Sequence, residues 1–497
     1  MSDPTGQTFA SAADSTPMTS GVQRVDSPPP SPPLLQATLS MLLVRGLLLP
    51  LSLLQGSVLA RALEPAGLGL YSAALVDVNL LVALLSMGLP GGLALVAGEA
   101  RTRADRSQRL HALHRVAARH GLLVVGFALC AVPLYGLLSR AIALPVRPLP
   151  LLAICAVLVV AQFARDVQNA LLWGGQRFAA QNRINGGVQV LLSGLLVVLW
   201  CLGVLRTETA LLLQLGSHLL WIAASSVASH HVQRAHVTGP PASQTDVDTG
   251  SQRVVRVASD ESDEDAAARA RRIGLRSYVG VLLDLLLLRI DVYLIERLVP
   301  AATMAHDLGL YQAGVRIAEL ILFVPSTLNA VLFAKAAARE QVASATLCAA
   351  KLALWIGALS LLGMWLVGQP LLVLFFGARF AGSFVPCLWI LAGCAATCFA
   401  SPLAGTLSGE HGYPRAILLA QLAALGVNVA ANVVVLPRWG IVGAAMASAL
   451  AYFVSAALIA GAFAQRYRIS LRQLVRIESP AALWRGLRSS GSRTASA

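Results

Sequence analysis

Charged residues are scarce in this sequence: Asp, Glu, Lys and Arg make up 12% of its 497 residues, against 56% hydrophobic, and the mean hydropathy is +0.69. Soluble globular domains do not reach that balance, so the chain is built for lipid. No C-x-x-C spacing occurs among the seven cysteines, Cys130, Cys155, Cys201, Cys348, Cys387, Cys394 and Cys398. A metal or redox site of that kind is therefore excluded, and Cys394 and Cys398, which share a helical face at i, i+4, read as core packing. The first 35 residues lack a charged stretch followed by an apolar run and a small-residue cleavage site, so no cleaved signal peptide is expected. Long polar connections are also few. With no room for a soluble catalytic domain, the chain is expected not to be an enzyme and to carry no cofactor.

What is present is a series of apolar runs of the length a spanning helix needs, roughly 20 residues. They centre near residues 49, 82, 128, 159, 195, 219, 287, 322, 356, 394, 426 and 452. The expected fold is an all-α polytopic membrane protein of about 12 transmembrane helices. Around them the chain divides into a Ser-, Thr- and Pro-rich tail (1–35), a first six-helix lobe (36–231), a linker (232–273), a second six-helix lobe (274–464) and a basic tail (465–497). The linker carries Gly239, Pro240 and Pro241 and the acidic cluster Asp260, Glu261, Asp263, Glu264 and Asp265. The last segment alternates Arg with Leu, Val and Trp484, as a strip on an anionic leaflet would, or a solvated tail.

An excess of basic residues, 38 Lys and Arg against 24 Asp and Glu, could point to nucleic acid, but its placement follows membrane topology instead. Arg101, Arg103, Arg106, Arg109, Arg115 and Arg119 follow the second span. Arg269, Arg271, Arg272 and Arg276 precede the seventh, and Arg466, Arg468, Arg472 and Arg476 follow the twelfth. Both termini are thereby expected in the cytoplasm, with no nucleic-acid partner.

The halves share a tetrapeptide. Leu68-Gly69-Leu70-Tyr71 and Leu308-Gly309-Leu310-Tyr311 each open the second helix of a half, and each is followed by an alanine, Ala73 or Ala313. Duplication into two parallel lobes, related by an axis along the membrane normal with a path between them, accounts for the shared register.

Each ionisable residue inside an apolar helix costs at least ~2.5 kcal/mol on insertion scales and normally faces the bundle interior. Arg45, Asp77, Arg165, Asp166, Asp284, Arg289, Asp291, Arg316 and Glu319 occupy such positions. Arg45, Arg289 and Arg316 are candidates for attracting a lipid diphosphate, and Asp77, Asp284, Asp291 and Glu319 for tuning that field or carrying a coupling ion. Arg316 and Glu319 share a face at i, i+3, as do Asp284 and Asp291 at i, i+7, while Arg289 points elsewhere. The bland alternative is structural pairing, Arg289 with a neighbouring acid and Arg316 with Glu319. Arg165 and Asp166 read as snorkelling to the interface. His218 reads as a hydrogen-bonded core histidine or a titrating one, and His230 and His231 as loop residues. Asp246 and Asp248 form a D-x-D in a linker without a surrounding fold, and no metal site is expected there. Pro50, Pro90 and Pro325 mark helix breaks, as flexing points or packing kinks.

In order and spacing, several of these pieces resemble the polysaccharide-flippase (Wzx-like) branch of the superfamily that also contains MATE exporters and the lipid II flippase MurJ. They are Leu68 to Tyr71 with Ser86-Met-Gly-Leu-Pro90, Arg289-Ile-Asp291, Gly309 to Tyr311 with Pro325, Phe376-Gly377, and Asn428, Asn432, Pro437, Gly440, Gly443, Ala444 and Ala445. The resemblance implies a V-shaped bundle of two lobes, alternating access, and an undecaprenyl-diphosphate-linked oligosaccharide as substrate in a bacterial inner membrane. It further implies O-antigen, capsule or exopolysaccharide synthesis, with a polysaccharide polymerase and chain-length or export machinery as partners. The long linker and amphipathic tail depart from the pattern. A MATE-type cation-coupled drug or metabolite antiporter shares the architecture, but cationic cargo favours an acidic cavity. A membrane glycosyltransferase, ligase or polymerase needs a sizeable outside loop, and the loops expected here are short.

Overall fold

The computed structural model describes residues 46, 48–98, 103–142, 149–174, 177–237, 263–323, 325, 332, 343–411, 415–476 and 478–483. Arg45, the tail 1–35, linker residues 238–262 with Asp246 and Asp248, and Trp484 lie outside them. Among the described residues the chain is helical, in the order α1 (Leu49–Ser86), α2 (Leu89–Gly98), α3 (Arg103–Ile142), α4 (Leu149–Gly174), α5 (Phe178–Cys201) and α6 (Thr207–Val237). There follow α7 (Asp263–Leu298), α8 (Ala301–Ala318) with a 3-10 turn (Glu319–Leu322), α9 (Ala343–Phe376), α10 (Phe384–His411), α11 (Arg415–Tyr467) and a short α12 (Leu471–Val475). α6 and α7 each run into the stretch expected to be linker.

Eight helical segments are long and apolar enough to cross a membrane by themselves. Two of these, α1 and α11, are hairpins. In α1 the backbone breaks at Glu64, with φ 56°, just before Pro65. Gly56 and Tyr71, on opposite sides of that break, both neighbour the Arg316 guanidinium. In α11 the break is at Gly440, also at φ 56°, a conformation glycine adopts without a Cβ penalty. Asn432 and Ser448 both bond Asp291, although a straight helix would hold them about 24 Å apart at its 1.5 Å rise. Among the described residues, splitting these two hairpins and adding the more polar α7 and α8 gives twelve segments, the number of crossings expected. The chain is a multi-pass membrane protein.

α1 to α6 pack on one another, as do α7 to α11, and the two groups meet along a seam formed by α1, α2 and α3 against α7, α8 and α9. The repeat builds one end of that seam. A methyl at Gly69 would overlap the Ala305 carbonyl, and one at Gly309 would overlap the Pro65 carbonyl. Ala305 lies four residues before Gly309 and Pro65 four before Gly69, so the contact is reciprocal, as a two-fold relation requires. Glycine is demanded here because backbone meets backbone, the close approach small residues permit in membrane helix packing. The tetrapeptides sit a little inside their helices rather than at the first residue.

Gly88 and Gly92 press on Gly274 and Ala270 at the other end of the seam, and the Tyr278 hydroxyl donates to the Leu84 carbonyl (3.3 Å). From Gly69 to Gly88 the helix climbs about 28 Å, close to the ~30 Å hydrocarbon thickness. The lobes therefore touch at both ends of a membrane-deep seam.

The basic tail neither floats nor lies apart where it is described. Ser470 and Gln473 form a capping box at the start of α12, and Leu474 and Leu483 are buried. Glu478 pairs with Lys351 (2.6 Å) and its carbonyl accepts from the Trp355 indole (3.0 Å). The segment is docked on the second lobe.

Candidate functional site

Six of the seven charged candidates are among the described residues, and α7 sorts the three it carries, Asp284, Arg289 and Asp291, by face. Asp284 and Asp291, two turns apart, both turn toward α11. Gln421 donates to Asp284. Asp291, 2% exposed, accepts from the Tyr311 hydroxyl (2.8 Å), the Ser448 hydroxyl (2.5 Å) and the Asn432 amide (3.1 Å). The Asn432 amide also donates to Asn428 Oδ1 (2.6 Å). A buried carboxylate survives in an apolar bundle when its lone pairs are satisfied this way, and each charge-assisted bond contributes about 1.5–3 kcal/mol. Asp291 thus ties α7, α8 and both arms of α11 into one unit.

Arg289 points to a different neighbour. Its Nη1 and Nη2 donate to Glu319 Oε1 (2.8 Å) and Oε2 (3.0 Å), the two-pronged geometry that matches guanidinium to carboxylate. Both side chains remain about a quarter exposed. Glu319 is the first residue of the 3-10 turn that continues α8. Pro325, just beyond, cannot donate to the Ile321 carbonyl. The Cys398 thiol reaches that carbonyl instead (3.8 Å), giving one of the core cysteines a specific task.

Arg316 shares the helix but not the carboxylate. The structural pairing expected for it, with Glu319, is not formed: Arg289 occupies Glu319, and no described carboxylate lies within salt-bridge distance of Arg316. Its guanidinium carbon stands 5.8 Å from the centroid of the Tyr71 ring, a cation–π contact made across the seam. Nη1 lies 4.0 Å from where a Cβ of Gly56 would be, so the absence of a side chain there leaves the guanidinium room. Asp77, on the second arm of α1, accepts from the Tyr293 hydroxyl of α7 (3.0 Å), another polar link across the seam.

Arg165 does not turn toward the interface: its Nη1 lies 3.3 Å from His218 Nδ1, inside the first lobe, with the Gln214 amide 3.4 Å from Nε2. His218 is a hydrogen-bonded core residue. Among the described residues no cluster of His, Cys, Asp or Glu could hold a metal ion. Sequence reasoning missed roles for Tyr71, Tyr293, Tyr311 and Ser448. The signal for Tyr71 and Tyr311 was the repeat itself, which places an aromatic hydroxyl at the same point in both halves; none marked Tyr293 or Ser448.

No family model matches this chain, and no curated protein matches it. Among solved structures, it is similar to the lipid II flippase MurJ in an inward closed conformation, with 11% identity, a TM-score of 0.59, 92% of this chain and 98% of that chain covered. An inward-facing multidrug resistance MATE family transporter of the MOP superfamily gives 18% identity and a TM-score of 0.58 over 91% of this chain and 99% of that one. A MOP superfamily transporter from Pyrococcus furiosus, described as having a binding pocket of reverse polarity that suggests a different function, gives 15% identity and 0.54 over 88% and 95%. At such identities the likeness establishes the fold, the two-lobed membrane bundle that these transporters and flippases share.

Proposed function

We propose that the chain translocates an anionic lipid-linked oligosaccharide, a polyprenyl-diphosphate-linked repeat unit, from the cytoplasmic to the periplasmic leaflet of a bacterial inner membrane, as a polysaccharide flippase. One observation carries this reading: among the described residues no carboxylate stands within salt-bridge distance of Arg316, and its guanidinium meets the Tyr71 ring of the other lobe across the seam. A cation placed at membrane depth is expensive unless something compensates it. A diphosphate passing between the lobes supplies that compensation. Arg289 is neutralised by Glu319 and serves as the neighbouring donor that a phosphate could share; Arg45 extends the path toward the cytoplasm in this reading. A membrane potential negative inside favours outward movement of an anion by ~2.3 kcal/mol per charge per 100 mV. The flippase among the solved neighbours supports the assignment.

The alternative, a MATE-type antiporter, draws on the multidrug transporter among those neighbours. Cationic cargo calls for free acidic groups at the seam, whereas Glu319 is held by Arg289 and Asp291 by three donors. A neighbour described as having a binding pocket of reverse polarity is consistent with pocket polarity varying on this fold.

Polymer export per protein molecule, with the lipid-linked intermediate measured in the cytoplasmic leaflet, tests the assignment. Arg316→Ala is expected to lower export at least about tenfold, the equivalent of one charge-assisted hydrogen bond, and to accumulate the intermediate. Arg316→Lys restores part of it, since charge returns without the planar fork. Wild-type export by Arg316→Ala would sink the anionic path and favour the antiporter.

A further inference from the structure

Away from the seam, the second lobe carries a groove of about 650 Å3 between α9, α10, the second arm of α11 and the docked tail. Its walls are apolar, with Leu354, Trp355, Phe399, Phe453, Ala457 and Gly461 among them. It opens on a face where Leu354 and Phe453 are 43% and 50% exposed and Leu450, Leu458 and Trp365 are exposed as well. In a multi-pass protein such a face is met by acyl chains, so an apolar groove there receives a chain from the bilayer rather than water.

The mouth is not apolar. Arg476 lines it, next to the Lys351–Glu478 pair, and Arg466, Arg468 and Arg472 are exposed nearby in the chain. Lys351 is already paired, its side chain 8% exposed, and that bond pins the tail as one wall of the groove. Arg476 follows α12 directly and presents its charge outward. A groove that takes a hydrocarbon chain, lined at its polar end by the exposed Arg476 guanidinium, matches a lipid with a negative headgroup.

We propose that this groove is a binding site for an anionic glycerophospholipid of the surrounding leaflet, one acyl chain lying along Phe399, Phe453 and Gly461 and the phosphate meeting Arg476. The bilayer, not the transported lipid, is the source. The groove lies on a different face of α10 from Cys398, which turns inward to Ile321, so it is separate from the Arg316 seam. Because the docked tail forms part of the wall, lipid binding and tail docking stabilise one another. The site does not depend on the flippase assignment.

The test uses the full-length protein equilibrated in nanodiscs of equal phosphatidylglycerol and phosphatidylethanolamine, released into mild detergent and examined by native mass spectrometry for retained lipid. Wild type is expected to retain phosphatidylglycerol in preference. Arg476→Ala should lower that preference about fivefold, in line with the contribution of one basic residue near an anionic surface, and Arg476→Lys should keep it. Gly461→Phe should remove both lipids by filling the groove. A Cβ at Gly461 meets nothing within 4 Å, so the larger ring has space, and size-exclusion monodispersity confirms folding. Arg476 is exposed, so its variants probe the site even where Gly461→Phe fails to fold. Equal retention of the two lipids by wild type, or an unchanged preference in Arg476→Ala, overturns the proposal. Displacement of phosphatidylglycerol by equimolar undecaprenyl phosphate overturns it also, in favour of a substrate-tail site.

Discussion

In the first half, Leu68-Gly69-Leu70-Tyr71 leads into Val76 and Asn79; in the second, Leu308-Gly309-Leu310-Tyr311 leads, in the same register, into Arg316 and Glu319. Both tetrapeptides continue as helix, to Ser86 in the first half and to Ala318 in the second, where a 3-10 turn takes over. Val76 is core packing, and Asn79 accepts a hydrogen bond from Gln162 (2.7 Å) within its own lobe. Arg316 and Glu319 instead face the seam and α7. The two tyrosines diverge in the same way: Tyr311 donates to the buried Asp291, whereas Tyr71 offers its ring to Arg316. The repeat gives a two-fold contact, and the positions that are Val76 and Asn79 in the first half are charged in the second. The first lobe contributes surfaces, Tyr71 and Gly56, against which that charge is displayed. The reciprocal glycine contact is symmetric, whereas the arginines Arg289 and Arg316 belong to the second half alone.

The largest expected effect breaks the charged half directly. Arg289→Ala leaves Glu319 with a partly buried and unpaired charge, and removing one member of such a pair costs up to about 3 kcal/mol here, below the fully buried range because both side chains remain about a quarter exposed. Protein abundance and the midpoint of thermal unfolding in detergent should both fall. Arg289→Ala combined with Glu319→Ala should recover most of the midpoint, because stability needs only the balance of charge, while the proposed phosphate path, which uses Arg289 as a donor, predicts that export stays low. A double variant as unstable as the single one would show that the pair is not the structural unit, and the contrast between the lobes would lose its central element.

Much of this frame is legible in the sequence, for a physical reason. Spans announce themselves because lipid forces long apolar runs, and the repeat is visible because Gly69 and Gly309 are each irreplaceable at a backbone contact. The common face of Asp284 and Asp291 follows from helical periodicity alone. Pairing across helices does not. Arg289 and Glu319 lie thirty residues apart on different helices, and which acid Arg289 meets depends on how α7 packs beside the end of α8, which no local pattern marks. The hairpins at Glu64 and Gly440 likewise decide that Asn432 and Ser448 reach one carboxylate. Docking of the tail through Glu478 and Lys351 joins positions 127 residues apart, beyond any reading of composition.

A smaller effect tests the symmetry of the frame. Gly69→Ala and Gly309→Ala each drive a methyl into a carbonyl of the opposite lobe, and overpacking of this kind costs about 1–3 kcal/mol. Reciprocity requires the two losses, read as unfolding midpoints, to be similar. Gly426→Ala, where a Cβ meets nothing within 4 Å, should leave the midpoint unchanged or raise it, since alanine favours helix. A large loss at Gly309 with none at Gly69 would mean that the halves are not related as the contact implies.

The smallest expected effect separates the two tyrosines, which sequence alone treats as equivalent. Tyr311→Phe removes a donor from the buried Asp291 and leaves Ser448 and Asn432 to satisfy it, a loss of about 1.5 kcal/mol for a hydrogen bond to a charged group. Tyr71→Phe keeps an aromatic face beneath Arg316 and should change the unfolding midpoint hardly at all. Tyr71→Leu keeps apolar volume but deletes the ring quadrupole, and should cost about 0.5–1 kcal/mol through the lost cation–π contact. The order Tyr311→Phe, then Tyr71→Leu, then Tyr71→Phe is therefore fixed by chemistry rather than by burial, since both tyrosines are buried alike at 5% and 2% exposure. Export sharpens the distinction. Tyr71→Leu removes what holds Arg316 at the seam and should lower export per molecule, whereas Tyr311→Phe, acting inside the second lobe, should lower protein level and leave export per molecule near wild type. Equal behaviour of Tyr71→Phe and Tyr311→Phe in both measurements would return the tyrosines to equivalence and remove the distinction between a displaying lobe and a charged one.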